Sequence, residues 1–133
     1  CLYGPHQFGK VSQGWIVWFV LAKHFDVQLK YYGFGGKQVR DYLHIDDCVT
    51  AIVKMVGDDS LSGIYNVIGE AKYTVKELIS LIEKRFNMEY RTEFMQVSPW
   101  ENVEDLSAAK LKEATSFQPS WHLSEFIEKE LER

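Results

Sequence analysis

Two hydrophobic periods share the chain. From Trp15 to Phe25 nearly every position is apolar (Trp15, Ile16, Val17, Trp18, Phe19, Val20, Leu21, Ala22, Phe25), which predicts a helix covered on most of its circumference. After Asp46-Asp47, the residues Val49, Ile52, Val53 and Val56 follow the i, i+3, i+4, i+7 spacing of one helix face, and Gly57 is placed to stop it. Thr74-Val75-Lys76-Glu77 reads as a capping box that opens a third helix, with Leu78, Ile79, Ile82 and Phe86 on one side. Ser107 caps a short helix through about Ala114; beyond Pro119, Leu123, Phe126, Ile127 and Leu131 form the stripe of a last amphipathic helix. The period-two segments are shorter. Residues 1–9 read as the end of a strand broken by Gly4-Pro5. Further strands are predicted at Leu29 to Tyr32, at Val39 to Ile45, at Ile64 to Ile68 and near Tyr90 to Phe94. In the second of these, Val39, Asp41, Leu43 and Ile45 alternate against Arg40, Tyr42 and His44. Alternating strands and helices predict an α/β fold, or α+β for a fragment, with residues 1–133 as one domain and no internal repeat.

Composition fits that picture: 133 residues with 46% apolar and 26% charged side chains describe a chain that folds. A net charge of −4 argues against a nucleic-acid partner. The longest unbroken apolar run, Trp15 to Ala22, is far below the roughly 20 residues of a membrane span; with no charged-then-apolar leader before it, a cytoplasmic address is expected. Cys1 and Cys48 have neither metal-ligand spacing nor disulfide density, and both are read as reduced. The chain starts at Cys1, directly at a Tyr-Gly-Pro turn and without an initiator Met, so it is expected to begin inside a larger architecture.

The stretch with most chemical content is Tyr31-Tyr32-Gly33-Phe34-Gly35-Gly36-Lys37-Gln38-Val39-Arg40-Asp41, a strand feeding a glycine-rich loop that returns with a lysine and an arginine. Glycines let backbone N–H groups approach an anion, and a guanidinium offers paired donors that suit a diphosphate. The plainer reading is a glycine-rich hairpin with a solvated Lys37 and an Arg40 paired to an acid. His6, His24, His44 and His122 are scattered without metal-binding spacing, and His44 reads as a packed strand residue. Asp46 and Asp47 can be read as an acid/base pair, or as the N-cap of the helix they open. Trp15 and Trp18 can stack on a base or pack in the core, and Gln13 can be a ligand or a polar helix-start residue.

These residues together resemble the extended short-chain dehydrogenase/reductases that act on nucleotide-sugars. Cys1-Leu2-Tyr3-Gly4-Pro5 resembles the strand and turn after that family's catalytic helix, Val39-Arg40-Asp41 its Arg-Asp signature, and Asp46-Asp47 the acidic start of the next helix. Ile64-Tyr65-Asn66-Val67 with Thr74 to Leu78 resembles its last Rossmann strand and following helix, and Phe117-Gln118-Pro119 its aromatic-x-Pro element. Gln7-Phe8-Gly9, Gln13-Gly14-Trp15 and the Gly33 to Asp41 stretch are most similar to the CDP-paratose (CDP-tyvelose) 2-epimerases. The resemblance implies a nucleotide-diphosphate-sugar substrate, an NAD cofactor, and transient oxidation of the sugar. It implies Arg40 on the diphosphate, Tyr32 near the base, and Gln13 and Trp15 in the nucleotide pocket; Lys37, from the glycine-rich loop, is a further candidate binding residue. No Gly-x-x-Gly-x-x-Gly and no Tyr-x-x-x-Lys occurs in the sequence. The chain is therefore expected to be the substrate-side portion of such an enzyme, without the Rossmann half, binding no NAD and no metal and not catalytic alone. A stand-alone nucleotide-diphosphate-sugar binding module, or an interaction protein without ligand, are the other readings. An exposed strand edge and the Trp15 to Phe25 helix lead us to expect a homo-oligomer or exchanged segments.

Overall fold

The computed structural model describes residues 1–11, 13–32, 36–69, 72–90, 92–95 and 106–129. In chain order the elements are β1 (Leu2–Tyr3), α1 (Trp15–His24), β2 (Leu29–Tyr32), β3 (Val39–Asp41), β4 (Leu43–His44), α2 (Ile45–Val56), β5 (Lys72–Thr74), α3 (Val75–Phe86), β6 (Thr92–Met95), α4 (Ala109–Thr115) and α5 (Leu123–Lys129). The mixed α/β organisation is the expected one. Among the described residues the strands form three separate pairs instead of one wound sheet. β1 and β4 are parallel, with Leu2 opposite Leu43 and Tyr3 opposite His44; β2 and β6 are parallel from Leu29 and Thr92 onward. β3 runs antiparallel to β5, with Arg40 opposite Tyr73.

The structure corrects several sequence expectations. The Val39 to Ile45 strand is divided at Tyr42, because its first half pairs with β5 and its second with β1. Asp41, Tyr42, Leu43 and His44 are all buried, so the alternation does not separate a wet face from a dry one. Ile45 already belongs to α2. Residues 64–68 carry no strand; Lys110 Nζ donates to Ile64 O (3.0 Å) and, just past the segment, Gly69 N donates to Asp41 Oδ2 (3.0 Å). The strand that is present, β5, comes a few residues later. β6 is displaced slightly from the expected position, and Leu131 lies outside the described residues.

The helices begin for local reasons. At α3, Thr74 Oγ1 accepts from Glu77 N (3.1 Å) while a Glu77 carboxylate oxygen accepts from Thr74 N (2.7 Å), the capping box read from the sequence. At α4 the N-cap is Ala108, without a side-chain cap, and not Ser107 as the sequence suggests; Ser107, one residue earlier, accepts from Ala109 N through its Oγ (3.2 Å). At α2 the cap is His44, whose Nδ1 accepts from Asp46 N (3.2 Å), and not an aspartate. Asp46 and Asp47 occupy the first turn instead, where a carboxylate also favours the helix dipole.

The main core gathers Ile16, Phe19 and Ala22 of α1, Leu78, Ile79 and Ile82 of α3, and Leu123, Phe126 and Ile127 of α5 around Tyr3, Leu29 and Tyr42. A second cluster joins Ala51 of α2 to Leu111 and Phe117. Within α1 no apolar side chain is exposed, but Phe25, which the sequence assigns to this helix, is its C-cap and is 68% exposed. On α2 the outcome is the reverse: the buried residues are Asp47 and Ala51, while the Val49, Ile52, Val53, Val56 face points outward.

Candidate functional site

The site is built at the N-terminus of α1. Gly14 caps this helix in the left-handed region (φ 72°), no side chain bonds into the cap, and the first turn holds no acid. The leading loop folds tightly onto the helix. Lys10 N donates to Gln13 O (2.7 Å) and Gln13 N to Lys10 O (3.1 Å), and a side chain at Gly9 would strike the Trp18 backbone. This fold places Gln13 and Trp15 along one cavity and Arg40 beside the Trp15 ring. Arg40, on β3, holds its guanidinium carbon 5.7 Å from the centre of the Trp15 ring, a cation–π distance.

Trp15 is a wall between two cavities. One, of about 340 Å³, is lined by Gln7, Gln13, Gly14, Trp15, Ile16 and Tyr42 among others. The other, of about 310 Å³, is mainly apolar, with Trp15, Trp18, Val27 and Leu29 joined by Lys30 and the buried Gln38. Lys37 is exposed in the 36–38 segment and lines neither cavity. Tyr32 ends β2 opposite Met95; its side chain, and Gly33 to Gly35 with it, lie outside the described residues.

Sequence reasoning did not single out Gln7 and Tyr42 as site residues. The Tyr42 hydroxyl and Gln7 Oε1 are buried without a hydrogen-bond partner, while Gln7 Nε2 donates to Leu2 O (3.1 Å). Burial pushes the Tyr42 hydroxyl well above the usual phenol range; Arg40 opposes that shift and Asp41 adds to it. Tyr42 is therefore a proton-bearing hydroxyl at physiological pH. Its adjacency to Arg40-Asp41 was the one available signal, but an alternating strand does not say which side a tyrosine takes.

The carboxylates that read as an acid/base pair are separated by the structure. Asp47 is buried and accepts from Ser120 N (3.0 Å), Ser120 Oγ (2.8 Å) and Trp121 N (3.0 Å), which makes it a tie between α2 and the segment before α5. Asp46 stays on the surface 3.7 Å from His44 Nδ1. The His44 ring stacks on Trp121 (4.1 Å between centroids) and is packed, as expected of it. Among the described residues no three His, Cys, Asp or Glu side chains gather as metal ligands, and no helix is long and apolar enough to cross a membrane.

The chain is similar to known proteins along most of its length. A CDP-paratose 2-epimerase from Salmonella typhi is 27% identical over 128 residues, covering 86% of this chain and 36% of that protein. A UDP-glucuronic acid 4-epimerase from Bacillus cereus, solved with UDP-glucuronic acid and NAD, superposes with a TM-score of 0.85 at 23% identity, over 98% of this chain and 41% of that one. A dTDP-glucose 4,6-dehydratase from Bacillus anthracis, solved with NAD, gives 0.83 at 22% identity, over 99% and 41%. The chain thus spans about two fifths of the length of these relatives. Residues 1–68, which carry β1, α1, Arg40 and α2, match the profile of the NAD dependent epimerase/dehydratase family. It is to that family, the one its Tyr-Gly-Pro turn and Arg-Asp strand resemble, that this chain belongs.

Proposed function

We propose that this chain provides the nucleotide-diphosphate-sugar site of an NAD-dependent epimerase or dehydratase, most similar to a CDP-paratose 2-epimerase, as its substrate-side portion. The observation that carries the reading is Arg40 laid against Trp15 at the start of α1, where Gly14 is the cap and no side chain bonds into it. A guanidinium favours a diphosphate, and so does a helix N-terminus. The apolar cavity on the other side of Trp15 offers an aromatic wall for a base, with Lys30 and Gln38 as polar contacts. Gln7, Gln13 and Tyr42 in the second cavity supply amide and hydroxyl groups of the kind that read a sugar. Tyr32 belongs to the proposal through the family resemblance, and Lys37 as the lysine of the glycine-rich loop.

The residues present do not fit the NAD dinucleotide. The glycines between β1 and α1 are filled by the protein itself: a side chain at Gly4 would meet Ile45, one at Gly9 the Trp18 backbone, and one at Gly14 would lie 3.3 Å from Gly9 Cα. Those three glycines offer no open cradle for a pyrophosphate, and no oxidation step is assigned to this chain. Calorimetry with CDP, UDP and dTDP tests the reading. Heat is expected with at least one of them, weakened at least tenfold by Arg40→Ala, and none is expected with NAD. No heat with any nucleotide, or heat indifferent to Arg40→Ala, overturns the site; heat with NAD overturns the division of labour.

A further inference from the structure

We propose that Trp15 is a positioning residue for Arg40: its indole face holds the guanidinium where a diphosphate meets it, so that Trp15 acts on the anion through Arg40. The inference rests on the nucleotide-diphosphate reading above and adds a residue to it. The guanidinium carbon lies 5.7 Å from the centre of the ring, and both side chains are half-buried. An arginine that reaches an anion from a mobile stem gives up rotamer freedom as it binds. One already laid on an aromatic face has given up part of that freedom beforehand and loses less in the complex. The ring is also chemically suited as a platform. Its face attracts the cation through the π quadrupole and takes none of the guanidinium N–H donors. A carboxylate in the same place would take two of them and repel the ligand's charge.

The two partners are anchored by separate elements. In front of Trp15, the Lys10–Gln13 bridge and the left-handed Gly14 close the loop, and Trp18 N donates to Gly14 O (2.9 Å) across the first turn of α1. Trp15 itself packs against the main core. Arg40 stands opposite Tyr73 in the β3–β5 pair, and its neighbour Asp41 is buried and accepts from Gly69 N (3.0 Å). Ring and guanidinium therefore meet because α1 and β3 are each fixed in place. Trp15 also lines both cavities, so a change at this position reaches a ligand by one of two routes: through Arg40, or by direct contact with a base. Leucine at 15 keeps an apolar side chain and removes the π face; phenylalanine keeps a face with a weaker hold on a cation.

Isothermal titration of the purified chain with CDP, UDP and dTDP, and with inorganic pyrophosphate, which has no base for an indole to touch, separates the routes. Trp15→Leu is expected to weaken the tightest nucleotide and pyrophosphate alike, by about three- to tenfold, and Trp15→Phe to recover part of that loss. In an Arg40→Ala background Trp15→Leu is expected to cost less than about twofold, because no cation is left to hold. Where pyrophosphate gives no heat, this cycle on the nucleotide decides. Circular dichroism of each variant checks the fold; if Trp15→Leu does not fold, Trp15→Phe carries the same cycle, with a loss of about two- to threefold that vanishes beside Arg40→Ala. A penalty of equal size with and without Arg40, or one felt by nucleotides and not by bound pyrophosphate, overturns the proposal and makes Trp15 a wall for the base. Binding that Arg40→Ala weakens and Trp15→Leu leaves unchanged also overturns it, while the diphosphate site stands. Binding indifferent to Arg40→Ala, or no binding, removes the site and this inference together.

Discussion

Asp47 shows how far the meaning of one residue depends on its distant partners. An acid in the first turn of a helix is read from sequence as a cap or as half of a catalytic pair, and the hydrogen bonds it makes lie 73 and 74 residues away. No local pattern carries that information. Asp47→Ala would leave Ser120 N and Trp121 N without their acceptor beside a buried site, and is expected to cost about 2–4 kcal/mol of unfolding free energy in urea. Asp47→Asn, which keeps one carbonyl oxygen, should recover part of it. Arg40 is the opposite case. Its identity as an anion-binding candidate was legible from the Val39-Arg40-Asp41 stretch. Its seat over Trp15 depends on β3 passing the start of α1, which the sequence does not specify. Gly69 belongs with Asp47: a side chain there would overlap the Tyr42 carbonyl, so the close passage of two segments, and no turn, demands glycine.

Among the elements, α3 was readable because its cap is local. Thr74 and Glu77 satisfy each other within four residues. The Glu77 carboxyl is held below its ordinary range, chiefly by the Thr74 backbone N–H and then by the Thr74 hydroxyl. A carboxyl whose folded value is depressed adds stability above its unfolded value and loses it as pH falls through the folded one. Thr74→Ala is therefore expected to lower stability by about 1 kcal/mol at neutral pH, with the difference from the parent shrinking as acid is added below the ordinary glutamate range. Denaturation at pH 7 and pH 3 would check this, and a difference unchanged by pH would contradict it. The α2 cap was misread because His44 is a less usual capping residue and two aspartates follow it. β5 was missed and residues 64–68 were overread for one reason: three strand residues acquire their character from the neighbour they pair with, here β3.

At the scale of the molecule, the main core and the smaller Ala51, Leu111, Phe117 cluster are distinct groups of buried side chains. Phe117→Ala is expected to cost about 3–5 kcal/mol and Ile82→Ala about 2–5 kcal/mol. If the clusters do not share partners, the double variant should add within about 0.5 kcal/mol in urea unfolding; a larger discrepancy would show that they act as one. What the sequence determined by itself is whatever depends on neighbours in the chain: the five helices, the capping box, the mixed α/β class and the residue types of an anion site, because periodicity and caps operate over a few residues. What the tertiary structure decided is which face of each helix is used. α1 and α2 both looked like helices with an apolar surface to bury. Only the packing of α3 and α5 around α1, and of Leu111 and Phe117 against Ala51, determined that the first is covered and that the stripe on the second is left in water. Burial is set by which surfaces meet across the chain, and periodicity reports only that a surface exists.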